Sequence, residues 1–102
     1  MLGSELTAKA ERYIESKYNG FVINLITTNK NGNPDLIACI NSKFYGFEIK
    51  GAGDTVKPLQ AEKIKAIIGA GGKAGVVRKI SDIDDIIAGK SVTKVNSRQF
   101  TL

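Results

Sequence analysis

The most constraining feature of the sequence is a pair of apolar runs separated by only two residues. The runs "DLIACI" (35–40) and "KFYGFEIK" (43–50) flank Asn41-Ser42. A connection this short joins neighbouring strands into an antiparallel hairpin. The start of the first strand then lies beside the end of the second, so Asp35 should meet Glu48 and Lys50. The sequence therefore predicts a group of ionisable side chains at one end of a small sheet.

Alternation along the second strand separates these side chains from the core. Residues two apart share a face, so Glu48 and Lys50 point one way, while Phe47 and Ile49 point into the core. Two unit charges about 4 Å apart repel by about 4 kcal/mol at an effective dielectric of 20. Lys50 offsets one negative charge. A divalent ion held by Asp35, Glu48 and the Ile49 carbonyl offsets two, and a metal-free, salt-bridged hairpin end is the alternative.

Composition narrows the chemistry available to such a cluster. The chain has 102 residues, no histidine and one cysteine. Without histidine, Ser-His and Cys-His catalysis and ordinary zinc sites are excluded. Cys39 lies inside the run "LIACI" and is predicted to be buried as a small apolar side chain. Any catalysis must then use carboxylates, lysines and a hard metal ion with oxygen ligands.

The charge of the chain favours a polyanionic partner. The formal net charge is +5 and the pI is about 9.4, and a basic surface concentrates phosphates near it. No apolar run is long enough to span a bilayer, and the N-terminus lacks a secretion signal, so we expect a soluble, cytoplasmic protein with no membrane partner. Six basic side chains are candidate phosphate contacts, with ordinary surface charges as the alternative for most of them: Lys57, Lys63, Lys65, Lys73, Arg78 and Lys79.

The segments before the hairpin predict a helix and a strand. Ser4 is expected to cap a helix from about Glu5 to Tyr18. The segment "FVINLITTN" (21–29) is rich in β-branched residues and predicts the first strand.

The segments after the hairpin predict a helix that begins at Pro58 and a fourth strand, "KAGVVRKI" (73–80). A helical crossover favours a fourth strand parallel to its neighbour. Ser81 is expected to cap a short last helix, and the tail (91–102) to form an added strand or an arm. The prediction is one α/β domain (1–102) with a small mixed sheet flanked by helices, in the order αβββαβ plus a short C-terminal helix.

The order of motifs resembles the PD-(D/E)XK nuclease superfamily. Pro34-Asp35, Glu48-x-Lys50 and Gln60 in a proline-led helix carry the resemblance. The segments "GNPDLIACI", "EIKGAGDTVKPLQ" and "GGKAGVVRKISDID" are most similar to the VRR-NUC type, the virus-type replication and repair nuclease module. The resemblance covers residues 5–87 and implies a restriction-endonuclease-like core with Mg²⁺ or Mn²⁺ as cofactor.

Site roles follow from the same resemblance. Asp35 and Glu48 are expected to bind the metal together with the Ile49 carbonyl, and Lys50 to assist the attacking water. Gln60 matches the glutamine of the family helix and is expected to orient a phosphate or a metal-bound water; an exposed first-turn residue is the alternative.

Many members of the superfamily add a metal ligand from the first helix. Glu5, Glu11 and Glu15 all compete for this role, and a solvated helix face is the alternative for each. We select Glu11, because it borders the apolar stripe of the helix and lies about two and a half turns ahead of Gly20.

The activity implied is that of a metal-dependent DNA endonuclease. Its expected substrate is a Holliday junction or other branched DNA in phage-type replication, recombination or repair, in a phage or bacterial host. One chain offers one such site, so cutting two strands calls for a homodimer. The alternative function is a non-catalytic, basic nucleic-acid-binding module.

Overall fold

Three helices and four strands follow one another in the predicted order. The structure, a computed structural model, describes residues 2–27 and 32–90; the predicted tail element lies outside these ranges. The elements are α1 (Gly3–Tyr18), β1 (Phe21–Asn24), β2 (Leu36–Ile40), β3 (Lys43–Ile49), α2 (Pro58–Gly69), β4 (Lys73–Val77) and α3 (Ser81–Ile87). No helix within the described ranges is long and apolar enough to cross a bilayer.

The four strands form one mixed sheet in the order β1-β2-β3-β4. Strands β1, β2 and β3 are antiparallel neighbours, whereas β4 runs parallel to β3. The predicted hairpin and the predicted parallel crossover are therefore confirmed. Strands β3 and β4 end at the same edge of the sheet, and β2 begins at that edge.

Helices cover the two faces of the sheet unequally. Helices α1 and α3 bury the larger core cluster against one face, including Leu6, Ile14, Leu36, Phe47 and Ile83. Helix α2 covers the opposite face only near β3 and β4, where Val56, Ala61, Ile64, Ala74 and Val76 form a second cluster. Because β3 is covered on both faces, its residues from 45 to 49 are all buried.

The uneven coverage explains why the prediction for Cys39 is wrong. Cys39 is exposed, on the face of β2 that α2 does not reach. Its cross-strand partners Phe21 and Phe44 share that face and are 69% and 47% exposed. An apolar run in sequence therefore does not bury both faces of this strand.

Both predicted serine caps are also wrong. Helix α1 begins before Ser4: its N-cap is Leu2, whose carbonyl accepts a hydrogen bond from the Leu6 N–H at 3.0 Å. At α3 the N-cap is Ile80 rather than Ser81. Nothing in the preceding residues prevents the helices from beginning two residues and one residue earlier, respectively, so the serine hydroxyls are not needed as caps.

Strand β1 ends earlier than predicted, at Asn24 rather than Asn29. The Asn24 side chain accepts a hydrogen bond from the N–H of Ile26 at 2.9 Å. An asparagine that binds the backbone two residues ahead forms a turn, which diverts the chain from the ladder.

Helices α1 and α3 are held together by one carboxylate. Asp84 accepts hydrogen bonds from the hydroxyls of Tyr13, at 2.8 and 2.9 Å, and of Tyr18, and from Lys17 Nζ at 3.1 Å. Burial raises the pKa of Asp84, but these hydrogen bonds together outweigh it and lower the pKa. The cluster holds α1 against α3.

The hairpin turn stores conformational strain that one substitution should relieve. Asn41 and Ser42 both have positive φ, at 49° and 68°, which is the type I′ geometry that favours Asn-Gly. Ser42→Gly should therefore raise the free energy of unfolding by about 1 kcal/mol in urea denaturation, whereas Ser42→Ala should give no such gain. A glycine variant no more stable than the wild type would contradict the strain at this position.

Candidate active site

The hairpin register brings the two predicted carboxylates, Asp35 and Glu48, together. Leu36 pairs with Phe47 across β2 and β3. One step further along the same register, Asp35 lies opposite Glu48. Side chains in directly opposed positions have Cβ atoms about 5 Å apart. Two residues 13 positions apart in sequence therefore share one end of the sheet, on the face that carries α2.

Asp35 is tied to the backbone of β3. Its Oδ2 accepts a hydrogen bond from the N–H of Ile49 at 3.0 Å. The N–H and C=O groups of one strand residue point to the same side of the strand, so the Ile49 carbonyl is also directed towards β2 and Asp35. The three oxygen donors expected from the sequence, from Asp35, Glu48 and Ile49, thus belong to one neighbourhood.

Glu48 is the most deeply buried charged side chain among the described residues, at 2% exposure. Its Oε2 lies 3.5 Å from Lys50 Nζ and accepts a hydrogen bond from Gln60 Nε2 at 3.0 Å. Its Oε1 is buried, and within the described ranges no hydrogen-bond donor reaches it. A buried carboxylate oxygen without a partner costs on the order of 1–3 kcal/mol, so this atom calls for a cation or a donor from outside the chain.

Gln60 connects the first turn of α2 to this carboxylate. Its Oε1 accepts a hydrogen bond from the Lys57 N–H at 2.9 Å, which leaves its Nε2 directed at Glu48. The amide is therefore fixed at both ends. In this arrangement Gln60 holds Glu48 in position. The alternative was that Gln60 is only an exposed residue of the first helical turn, without such a contact.

Burial and charge repulsion shift the acidity of the site. Burial, and next the negative charge of Asp35, raise the pKa of Glu48 to about 7, although Lys50 acts in the opposite direction. One positive charge thus does not compensate fully for the environment of Glu48. A second cation near Asp35 and Glu48 would lower this pKa.

A glycine lets the turn before Asp35 pack directly against α2. Gly32 has φ +76°, and a Cβ there would lie 2.8 Å from Leu59 Cγ and 3.1 Å from the backbone N of Gln60. Only glycine fits both the conformation and this approach. The motif turn and the helix that carries Gln60 are therefore held in one arrangement, a requirement that the sequence signals only through "NGNPD".

The hydrogen bond that Glu11 makes is to the end of β1, not to Asp35 or Glu48. Glu11 Oε1 accepts a hydrogen bond from Asn24 Nδ2 at 2.7 Å, on the α1 side of the sheet. The start of α1 lies at the site end, where Glu5 lines a cavity with Gly51 and Asp54. This position keeps Glu5 a candidate for the ligand from α1 beside Glu11; Glu15 lies a further turn beyond Glu11.

The carboxylates available for a metal are therefore a pair. Within residues 2–27 and 32–90, no three acidic or cysteine side chains are grouped closely enough to hold a metal ion. The orphaned Glu48 Oε1, the repulsion from Asp35 and the hard oxygen donors nevertheless fit one Mg²⁺ or Mn²⁺. Asp35, Glu48 and the Ile49 carbonyl would hold it, with water completing the ligand set.

Solved structures share this fold. One, described as "VRR_NUC domain", matches with a TM-score of 0.68, 20% identity, and coverage of 84% of this chain and 94% of its own. Another, "VRR_NUC domain protein", has a TM-score of 0.62, 20% identity, and coverage of 89% and 93%. No family model and no curated protein matches the sequence. The chain therefore has the fold of VRR_NUC domains, which confirms the predicted fold class.

The buried Glu48 should make the metal-free protein less stable as the pH rises. Its pKa is about 7 in the folded protein and 4.5 in the unfolded chain, so the folded state binds this proton more tightly. The contribution is complete below pH 4.5 and is lost as the pH rises through 7, a decrease of about 3 kcal/mol. Urea denaturation in EDTA between pH 4.5 and 8 measures it. Glu48→Gln should remove this slope; an unchanged slope in that variant would contradict the assignment.

Proposed function

We propose that this protein is a metal-dependent DNA endonuclease. The observation that carries the proposal is the buried Glu48 carboxylate, which faces Asp35, contacts Lys50 and retains one oxygen without a donor among the described residues. The shared VRR_NUC fold and the net charge of +5 support a phosphodiester substrate. No other group of side chains in the described ranges combines burial, perturbed pKa and acidic pairing in this way.

The proposed chemistry is hydrolysis in one step. Mg²⁺ or Mn²⁺ held by Asp35, Glu48 and the Ile49 carbonyl would supply positive charge at the phosphate and lower the pKa of a water molecule. Lys50, whose ammonium Nζ is held 3.5 Å from Glu48, positions the attacking water. The water oxygen bonds to phosphorus and releases its proton to solvent, while one P–O bond of the backbone breaks and the leaving oxygen takes up a proton from solvent. Gln60 keeps Glu48 in place while the charges change.

The finer proposal is that the substrate is branched DNA, with a four-way junction as the first choice. It rests on the VRR-NUC resemblance and on the placement of one carboxylate pair in each chain. Cutting both strands of such a substrate requires two sites, and hence two copies of the chain. The proposed setting is replication, recombination or repair in a phage or bacterium.

The exposed apolar face is the proposed contact between the two copies. Phe21, Ile23 and Phe44 are 69%, 42% and 47% exposed on the part of the sheet that α2 leaves uncovered. Beside them, a cavity of about 470 Å³ is lined by Leu25, Pro34, Ile37, Phe44, Ile67 and Ala70. A contiguous apolar patch of this kind is typical of a protein interface. A second copy of the chain would cover this apolar surface and would also supply the second site.

Cleavage assays separate the nuclease from a non-catalytic binding module. Labelled four-way junction, flap and linear duplex should be cut only with Mg²⁺ or Mn²⁺, and the junction fastest. Glu48→Gln and Lys50→Ala should each reduce the rate by at least about 100-fold and still bind DNA, because they remove chemistry rather than surface charge. Lys43→Ala, at the opposite end of β3, is the control. Binding without cutting of any substrate under either metal would instead establish the non-catalytic module.

Substitutions on the exposed face test the dimer. Phe21→Ser with Phe44→Ser should convert a dimer to a monomer in light scattering after size exclusion, and should leave the fold intact because both side chains are largely exposed. Leu2→Ser, which alters a side chain 68% exposed on a different surface, is the matched control. A wild type that is monomeric at all concentrations would rule out this contact.

A further inference from the structure

Six basic side chains of the described residues lie at one or the other end of the sheet. Lys43 and Lys73 begin β3 and β4, at the edge opposite the site. The Nζ of Lys73 is occupied there by the Ile87 carbonyl at 3.0 Å. Lys50, Lys57, Arg78 and Lys79 lie instead at the edge where β3 and β4 end and α2 begins. The sequence alone could not make this division.

Arg78 is the immediate neighbour of Lys50 across the parallel strands. Ile49 pairs with Val77, and the N–H of Lys50 donates to the Val77 carbonyl at 3.0 Å. One step further along this register, Lys50 lies beside Arg78. By alternation both side chains belong to the same face as Glu48. The guanidinium of Arg78 lies over the next turn, with Nη1 3.4 Å from the Gly51 carbonyl.

Lys57 lies at the start of α2, close to the site. It is the N-cap residue of α2, and its backbone N–H is bound to Gln60, which in turn contacts Glu48. Its own side chain is exposed. Lys57 thus belongs to the helix over the sheet and Arg78 to the end of β4, and each is connected to Glu48 through one intervening residue, Gln60 or Lys50.

Two acidic side chains at this edge, Asp54 and Asp82, are occupied by backbone donors. Asp82 Oδ2 accepts the N–H groups of Arg78 and Lys79, at 2.9 and 3.2 Å, and Asp54 Oδ2 accepts that of Gly51 at 3.0 Å. These bonds fix the backbone on which the cations are displayed. They also direct the two carboxylates towards the protein backbone.

We propose that Lys57 and Arg78 bind the DNA phosphates on the two sides of the scissile bond, so that the strand crosses the carboxyl ends of β3 and β4 over Lys50. This inference rests on the proposed nuclease function for the choice of DNA as the polyanion. Arginine is suited to this role because its planar fork matches a phosphate, whereas lysine acts as a point charge. Lys79 is exposed beside Arg78. Lys57, Arg78 and Lys79 together form the proposed phosphate track.

The test is the salt dependence of DNA binding, measured in EDTA so that no cutting occurs. Fluorescence anisotropy of a labelled four-way junction is recorded at several KCl concentrations for the wild type and for Lys57→Ala, Arg78→Ala, Arg78→Lys and Lys43→Ala. Each lost phosphate contact should make the slope of log K against log salt less negative by about 0.9, which is about an eightfold loss of affinity at 0.1 M salt.

The variants distinguish a local contact from a general loss of charge. Lys57→Ala and Arg78→Ala should reduce the slope, Arg78→Lys should retain most of it, and Lys43→Ala should match the wild type. Slopes for Lys57→Ala and Arg78→Ala equal to that of the wild type, or a Lys43→Ala slope reduced by as much as theirs, would overturn the proposal. If Arg78→Ala fails to fold in circular dichroism, Arg78→Gln replaces it, because it removes the charge and keeps a long, hydrogen-bonding side chain; its slope should fall as expected for Arg78→Ala.

Binding and cutting report on separate proposals. Reduced slopes without cleavage of any substrate would support the phosphate track and refute the nuclease. Metal-dependent cleavage with unchanged slopes would support the nuclease and refute the track.

Discussion

The structure depends on one electrostatic constraint, a glutamate carboxylate buried opposite an aspartate at the end of a hairpin. Hairpin register, rather than any long-range contact, imposes this arrangement, and a slip of one residue would turn Glu48 into the core and Phe47 out of it. Two carboxylate charges about 4 Å apart repel each other by about 4 kcal/mol at an effective dielectric of 20. Lys50 and Gln60 both act on the same oxygen, Oε2, and the described residues leave Oε1 without a donor. The local charge balance is therefore incomplete in the chain itself.

Short-range chemistry made the hairpin and its carboxylate pair predictable from sequence. A period of two, a two-residue connection and Pro58 at the start of a helix are local signals, and the structure bears them out. The parallel placement of β4 followed from the crossover rule. The prediction that Cys39 is buried was wrong because burial depends on how separate helices and strands pack together. Cys39 is exposed because α2 covers only β3 and β4.

Close packing at the site was equally beyond prediction. Gly32 reads in the sequence as one more turn residue, yet its lack of a Cβ is what lets the turn approach Leu59 and Gln60. The amide of Gln60 has two partners, one in its own helix and one in β3, and only the second connects it with the site. Single positions such as these depend on the distance between elements, which no periodicity contains.

A purely structural salt bridge explains the site poorly on energetic grounds. Replacing a buried ion pair by apolar side chains of similar size is often neutral or stabilising, and β3 is otherwise apolar on this face at its covered end. The chain instead retains two carboxylates, a lysine and an oriented amide where α2 and the sheet could have packed together without them. Local rules are broken in this way mainly at functional sites, where the cost is offset when a ligand binds. Glu48 meets this description, because its unfavourable burial and its missing donor would both be relieved by the same divalent cation.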